Sequence, residues 1–301
     1  MAKKPAVSLA AVPGRRKRTL ELGQEIEKRG FSGIYCPSFG DGLGLSLALA
    51  FETNEIALGT SITNIYTRHA TDFAATASWV HEISGGRFVF GVGVSHAPAH
   101  EGLGVQVGKP LADMRRFVEG LRGAPRAGEL PPIVLATLRK RMVALAGEIA
   151  DGIVWANGAR SHMEESLAQL PAEKRGSDDF FVGCMIPTCI SDDKAAAAAV
   201  MRRTLMGYAQ LPNYNNYWIE AGYEEEMRSI REALKAGEQD KVTSFMTDEW
   251  LADVTLFGSA AEVREGVEAW YAAGVSTPIL VPSSTEGGQM RAFEELFAAF
   301  E

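Results

Sequence analysis

Two rhythms of apolar residues alternate along this chain. Short continuous apolar runs, the signature of strands buried on both faces, stand at 6–11, 33–36, 56–62, 88–94, 131–136, 152–156, 180–190 and 277–281. Between them apolar residues return every three or four positions, as on one face of a helix. Leu22 and Ile26 lie one turn apart in a helix over 15–29 that Gly30 closes. A short apolar helix covers 43–51. Phe73, Ala77 and Val80 share a face in the next helix, from about Ala70, with Asp72 in its first turn, where a carboxylate suits the dipole. Met114, Phe117, Val118 and Leu121 form a full stripe, as do Met142, Leu145, Ala146 and Ile149. Ser161-His162-Met163-Glu164 and Ser259-Ala260-Ala261-Glu262 have the pattern of capping boxes. The second precedes Val263, Val267 and Trp270, and Met290, Phe293, Phe297 and Phe300 line a closing helix. The stretch 97–111, rich in Gly and Pro, reads as irregular. A broad helical region follows at 192–249, interrupted near 211–218.

About eight strands, nearly each followed by a helix, predict a parallel sheet, and eight such units close naturally into a barrel. The predicted fold class is therefore α/β, an (α/β)8 TIM barrel. It is read as one domain over 1–301, with insertions after the fourth and seventh strands. An open doubly wound sheet is the alternative. Either architecture gathers ligands at the carboxyl ends of its strands. That directs attention to 56–94, a strand, a helix and a strand, whose strands end in Ser61-Ile62-Thr63-Asn64 and Gly93-Val94-Ser95-His96.

Composition narrows the partners. The chain has 301 residues, 46% hydrophobic and 23% charged, an ordinary globular balance. Its formal charge of −8 argues against nucleic acid or an anionic membrane surface as a partner. No apolar run approaches the roughly 18 residues of a membrane span. The opening MAKKPAVSLAAVPGRRKR has the basic start and apolar patch of a secretory leader, but Val12-Pro13-Gly14 cuts the patch short, so a first strand is expected. Cys36, Cys184 and Cys189 cannot all pair and lack metal-binding spacing, so a reducing cytoplasm is the default compartment and no metal is expected.

Candidate chemistry is sparse. Gly91-Val92-Gly93-Val94-Ser95-His96 resembles a dinucleotide fingerprint, yet His96 occupies the third glycine position and no acidic residue follows at ribose distance. Its glycines either thin the barrel wall or let a flat ligand approach the backbone. The small polar residues of Ser61-Ile62-Thr63-Asn64 either end a strand or mark a bulge or strained peptide aimed at the barrel mouth. Asn157 could reach a ligand, though Asn157-Gly158 is equally a turn signal. His69 reads as a cap or packing residue; His81, His100 and His162 read as solvated. The aromatic segment 211–223 reads as a lid or as a helix–helix joint. Trp79, Phe293 and Phe297 would suit either a homodimer face or the core.

The stretch from Leu58 to Pro98 resembles the bacterial luciferase-like monooxygenase superfamily, above all its branch of oxidoreductases using the deazaflavin coenzyme F420. The resemblance rests on Thr63-Asn64, Thr67-Arg68-His69, Ser84-Gly85-Gly86-Arg87-Phe88 and Gly91-Val92-Gly93-Val94-Ser95-His96. Ala136-Thr137-Leu138, Arg141-Met142, Leu145-Ala146-Gly147, Ala150-Asp151-Gly152 and Leu256-Phe257-Gly258-Ser259 extend it in order. It implies an (α/β)8 barrel with a flavin or deazaflavin at its mouth and hydride chemistry on a small-molecule substrate. It places a cis peptide at Ser61-Ile62. The implied cofactor-binding residues are Ser61, Ile62, Thr63, Gly93, Val94, Ser95, His96, Thr137, Leu138, Arg139 and Lys140, with Asn157 near the ring or substrate; no catalytic residue is implied. Arg139-Lys140 replaces the Gly-Pro of many relatives, adding either two cations beside a phosphate or a solvated helix start. Pro37-Ser38-Phe39 stands where many relatives carry an acidic residue and a histidine, so their proton donor and substrate do not transfer. Three functions follow as expectations: an F420-dependent oxidoreductase, an FMN-dependent monooxygenase, or a barrel that holds a cofactor without turnover.

Overall fold

A computed structural model of the chain describes residues 3–301. The fold is an (α/β)8 barrel, as the alternation of strands and helices predicts. It contains two compact units, the chain through Trp155 together with Ala168–Gly183, and Ala156–Leu167 together with Cys184–Glu301.

The first unit begins with β1 (Ala6–Ser8), α1 (Arg16–Lys28), β2 (Gly33–Cys36), α2 (Gly42–Glu52) and β3 (Ala57–Thr60). It continues through β4 (Thr63–Asn64), α3 (Ala70–Ile83), β5 (Phe88–Gly93), α4 (Ala97–Leu103) and α5 (Pro110–Arg122). The chain then passes through β6 (Ile133–Ala136), α6 (Lys140–Ile149) and β7 (Gly152–Ala156). Each strand pairs in parallel with the next: β1 with β2, β2 with β3, β3 and β4 with β5, β5 with β6, and β6 with β7. The apolar runs are strands because both faces are covered. Ile34, Leu58, Phe88, Phe90, Leu135 and Ile153 are fully or almost fully buried. Phe73 of α3 joins this interior to the helix layer, with ring centroids 5.8 Å from Phe90 and 5.7 Å from Phe117. Burying each such ring contributes about 1.5–3 kcal/mol.

The amino ends of these strands are tied by charge. Arg87, just before β5, donates to the carbonyls of Ile56 (2.7 Å), Thr53 (3.0 Å) and Ser84 (2.8 Å). Glu27 Oε1 accepts from the backbone N–H groups of Asn54, Glu55 and Ile56, which draw its pKa below the usual carboxylate value against the opposing effect of burial. Arg87 thus serves stability at the end of the barrel away from the ligand-gathering face.

The second unit holds α7 (Met163–Leu167), β8 (Phe181–Ile190, entering from the first unit), α8 (Lys194–Ala209), α9 (Pro212–Glu220) and α10 (Glu224–Lys235). It ends with α11 (Asp248–Val254), β9 (Leu256–Gly258), α12 (Ala260–Ala272), β10 (Thr277–Ser283) and α13 (Gln289–Ala299). β8 pairs with β9 in parallel and also with β10. The capping box at Ser259 and Glu262 is present. Trp218, Trp250 and Trp270 are fully buried.

Several expectations shift. The run 56–62 is not one strand; it breaks after Thr60 and resumes as β4. The stretch 97–111 contains α4, because Pro98 falls in a first turn, where no N–H bond is lost, and Gly104 ends the helix in the left-handed region at φ 64°. β9 is too short to stand out as an apolar run. Ser161 caps nothing: its hydroxyl and N–H both donate to Asp253, at 2.7 and 2.9 Å, and a 3-10 turn begins at Arg160. Phe293 and Phe297 are core residues, whereas Trp79 is half exposed. Among the described residues no helix is long and apolar enough to cross a membrane.

Candidate functional site

The predicted residues of the first unit converge on the carboxyl ends of β3 to β6. Ser61 leaves β3 with its N–H bonded to the Cys36 carbonyl at 2.8 Å, and the Ser61-Ile62 peptide is cis. Thr63 then pairs with Val92, which pairs with Leu135, and Asn64 pairs with Gly93. Gly93 lies in the angle between two neighbours: a Cβ there would stand 2.8 Å from Ala136 Cβ and 2.9 Å from Ile62 Cδ1. Gly91 is equally constrained, since a Cβ would collide with the Thr60 carbonyl. The glycines therefore serve close approach, with Ile62 and Ala136 packed directly against Gly93.

Polarity on this rim is unspent. Ser61 Oγ and Thr137 Oγ1 are buried, at 2% and 5% residue exposure, and neither has a hydrogen-bond partner among the described residues. The Thr137 backbone N–H is satisfied by the Val154 carbonyl at 2.9 Å. A buried unmade hydrogen bond costs about 1–3 kcal/mol, and buried hydroxyls are normally paired. Two such hydroxyls at neighbouring strand ends of one rim suit a flat group with polar edges. Val94, Ser95 and His96 continue as the loop after β5, Ser95 in the left-handed region at φ 58°. Leu138, Arg139 and Lys140 lead from β6 into α6, both cations exposed.

A brace that sequence reasoning missed holds the loop after β5. His100 Nε2 donates to the Val94 carbonyl at 2.6 Å, and its ring meets Tyr66 edge-on at 5.1 Å. Tyr66 donates its hydroxyl to Asp113 Oδ2 at 2.7 Å; the Gly108 N–H reaches the same oxygen at 2.7 Å, and Arg116 donates to Oδ1 at 3.3 Å. Asp113 is buried and ties the start of α5 to the turn after β4. Nothing in the sequence links Tyr66 to Asp113, 47 positions apart. His100 is accordingly a structural group, not a solvated one. Burial, followed by the nearness of His100, holds the pKa of His96 below its usual value. His69 caps α3, accepting from the Thr71 N–H at 3.3 Å.

In the second unit Asn157 sits after β7 in the left-handed region at φ 55°. Its carbonyl accepts from Trp218 Nε1 at 3.3 Å, while its buried Nδ2 has no aligned partner among the described residues, although the Tyr208 and Tyr214 hydroxyls lie close enough to interact with its side chain. The Ala159 N–H donates to the Tyr217 hydroxyl at 3.0 Å. The 211–223 segment is thus a joint whose aromatic side chains wall Asn157. Burial raises the pKa of Tyr208, Tyr214 and Tyr217, keeping them neutral donors. His162 is packed edge-on against Tyr217.

The cysteines offer no nucleophile. Burial pushes the Cys36 and Cys184 thiols up to about 12 and Cys189 up to about 11, far from the thiolate form. Among the described residues no group of three or more His, Cys, Asp or Glu side chains could hold a metal. At the end of β2, Ser38 and Phe39 are exposed, and Pro37-Ser38-Phe39 offers neither a carboxylate nor an imidazole.

Comparison with known proteins gives a consistent picture. The family model described as luciferase-like monooxygenase matches residues 4–277. A Mycobacterium tuberculosis protein provisionally described as a coenzyme F420-dependent oxidoreductase is 26% identical, over 88% of this chain and 91% of its own length. The structure of the coenzyme F420-dependent tetrahydromethanopterin reductase of Methanopyrus kandleri matches with a TM-score of 0.73 at 20% identity, covering 98% of each chain. The oxygenating constituent of 3,6-diketocamphane monooxygenase of Pseudomonas putida, solved with FMN, matches with a TM-score of 0.62 at 16% identity, over 99% of this chain and 96% of that one.

Proposed function

The chain belongs to the luciferase-like monooxygenase family, and within it we propose an oxidoreductase that binds coenzyme F420 on the rim of β3 to β6 and exchanges a hydride with a small organic substrate. The observation that carries this reading is the pair of buried, unpartnered hydroxyls, Ser61 and Thr137, at the carboxyl ends of β3 and β6. The chemistry of these residues fits a tricyclic ring with carbonyl and N–H edges. Ser61, Ile62 and Thr63 would lie against the ring, and the loops 93–96 and 137–140 would take its anionic arm, with Arg139 and Lys140 supplying positive charge. When bound, the deazaflavin supplies a two-electron hydride donor and acceptor; the protein supplies orientation and exclusion of water. Hydride transfer itself needs no acid or base, which agrees with a rim short of titratable groups. Ile62 and Val94 contribute apolar cover, and the Asp113 brace fixes the loop that would embrace the arm.

The curated relative named for F420 favours this cofactor. The second reading is an FMN-dependent monooxygenase, supported by the family's name and by the FMN-containing structural neighbour. Fluorescence titration of the purified protein with each cofactor separates them. Saturable F420 binding with weak or no FMN binding is expected; tight FMN binding without F420 binding would reverse the order.

A further inference from the structure

The large apolar side chains that stand exposed among the described residues fall into two groups. Phe51, Trp79 and Ile83 lie on α2 and α3. Phe39, Leu103 and Val107, at 71%, 45% and 43% exposure, lie on the connections that leave the carboxyl ends of β2 and β5. The strand order β2, β3, β5 sets those two connections on either side of the turn at Ser61-Ile62. Single apolar side chains in water are common. Three on the loops bordering one turn of the ligand-gathering face mark a surface that an apolar ligand covers.

These loops are joined into one wall. The turn after β4 reaches the loop after β2 through Arg68, which donates to Asp41 Oδ2 at 3.4 Å. In the other direction Tyr66 meets His100 of α4 edge-on at 5.1 Å and donates to Asp113 of α5 at 2.7 Å. The same bonds consume the wall's charge. Arg68 is shared between Asp41 and Asp72, the latter at 3.9 Å. Asp113 is taken by Tyr66, the Gly108 N–H and Arg116. Glu101 and Lys109, exposed on the segment 97–110, carry opposite charges. That segment holds no buried residue, so the apolar area of Leu103 and Val107 is free for a ligand. What the wall leaves unspent is apolar surface.

We propose that the loops after β2 and β5 form the substrate cleft, lined by Phe39, Leu103 and Val107, and that the substrate is an uncharged, largely apolar organic molecule. This names the substrate class of the site proposed above and rests on that reading, since a cofactor at Ser61 and Ile62 is what sets a substrate between these loops. A charged substrate would find the wall's charges already paired or cancelling, and would lose hydration against Phe39 and Leu103 without recompense. The exposed cations Arg15, Arg16, Lys17 and Arg18 stand one loop away, after β1; an anionic substrate drawn by them is the outcome the test sets against the proposal.

Three probes of similar length decide it: 2-octanone, octanoate and octylammonium, titrated calorimetrically into the F420-loaded protein. 2-Octanone should bind at least about tenfold more tightly than either ion, with an affinity that does not fall between about 0.05 and 0.5 M NaCl. Phe39→Ala and the double variant Leu103→Ser, Val107→Ser should each weaken ketone binding about three- to tenfold, since each withdraws apolar area from the ligand. Both should leave the affinity for F420 unchanged, and both should melt with the parent, because these side chains are exposed without ligand. Tighter binding of either ion, no ketone binding, or ketone binding that both variants leave intact overturns the cleft assignment while F420 binding stands. Ketone binding that the variants abolish in a protein that takes up neither F420 nor FMN overturns the cofactor reading and leaves the apolar cleft in place. Binding of neither ketone nor cofactor overturns both.

Discussion

Thr137→Val separates a hydroxyl kept for a ligand from one kept for the fold. Valine is close to isosteric, retains the β-branched shape and leaves the backbone bond to Val154 untouched. In the ligand-free protein the Thr137 hydroxyl is buried and unpartnered, so it costs about 1–3 kcal/mol that an apolar replacement recovers. The variant should therefore be more stable without ligand, by at least about 1 kcal/mol, which is a rise of a few degrees in Tm for a chain of this size. With cofactor the sign reverses. Losing one hydrogen bond of about 0.5–1.5 kcal/mol weakens binding about two- to tenfold. The assay is a pair of calorimetric melts, with and without F420, and a fluorescence titration. A variant that melts lower without ligand, and binds F420 as well as the parent, would refute the reasoning and return Thr137 to a purely structural role.

Other positions give independent checks. Gly93→Ala forces a Cβ to within 2.8 Å of Ala136 Cβ, so it should cost about 1–3 kcal/mol in calorimetric melts, whereas Gly102→Ala, in α4 with no heavy atom within 4 Å, should be neutral or stabilising by up to about 1 kcal/mol. Asp113→Ala strands Tyr66 and the Gly108 N–H, lowering stability by about 3 kcal/mol and accelerating hydrogen exchange at Gly108; Asp113→Asn should restore part of both. His96 has a folded pKa held below 6.5 by burial and by His100, so the unfolded chain takes up its proton first as pH falls. Stability should therefore drop below about pH 6.5, and His96→Gln should flatten that part of the Tm-against-pH curve.

The strands at 33–36 and 152–156 were legible to the residue, because each is a short apolar run flanked by Gly, Pro or charge and buried on both faces. The eightfold alternation carried the barrel with it. The break between β3 and β4 was readable only as small polar residues at the end of a run, and a bulge and a simple terminus look alike at that level. α4 was hidden because Pro and Gly are counted as loop formers, although here one opens a helix and the other closes it. Ser161 has a cap's spacing, but its hydroxyl found Asp253, a partner 92 positions away that local pattern cannot supply. The same limit hid Asp113 and Tyr66, whose hydrogen bond exists only once α5 lies beside the turn after β4. The nearness of Ser61, Gly93 and Thr137 to one another was legible, since the carboxyl ends of neighbouring parallel strands share one rim. That Ser61 and Thr137 leave their hydroxyls unspent is a fact of packing, and composition does not contain it.

One crystallographic experiment bears most directly on the ring at the rim. Crystals soaked separately with F420 and with FMN should show, for F420, planar density lying against Ser61, Ile62 and Gly93 with a polar edge within hydrogen-bond distance of Ser61 Oγ or Thr137 Oγ1. Density for FMN alone, or a ring lodged anywhere other than the ends of β3 to β6, would contradict the account.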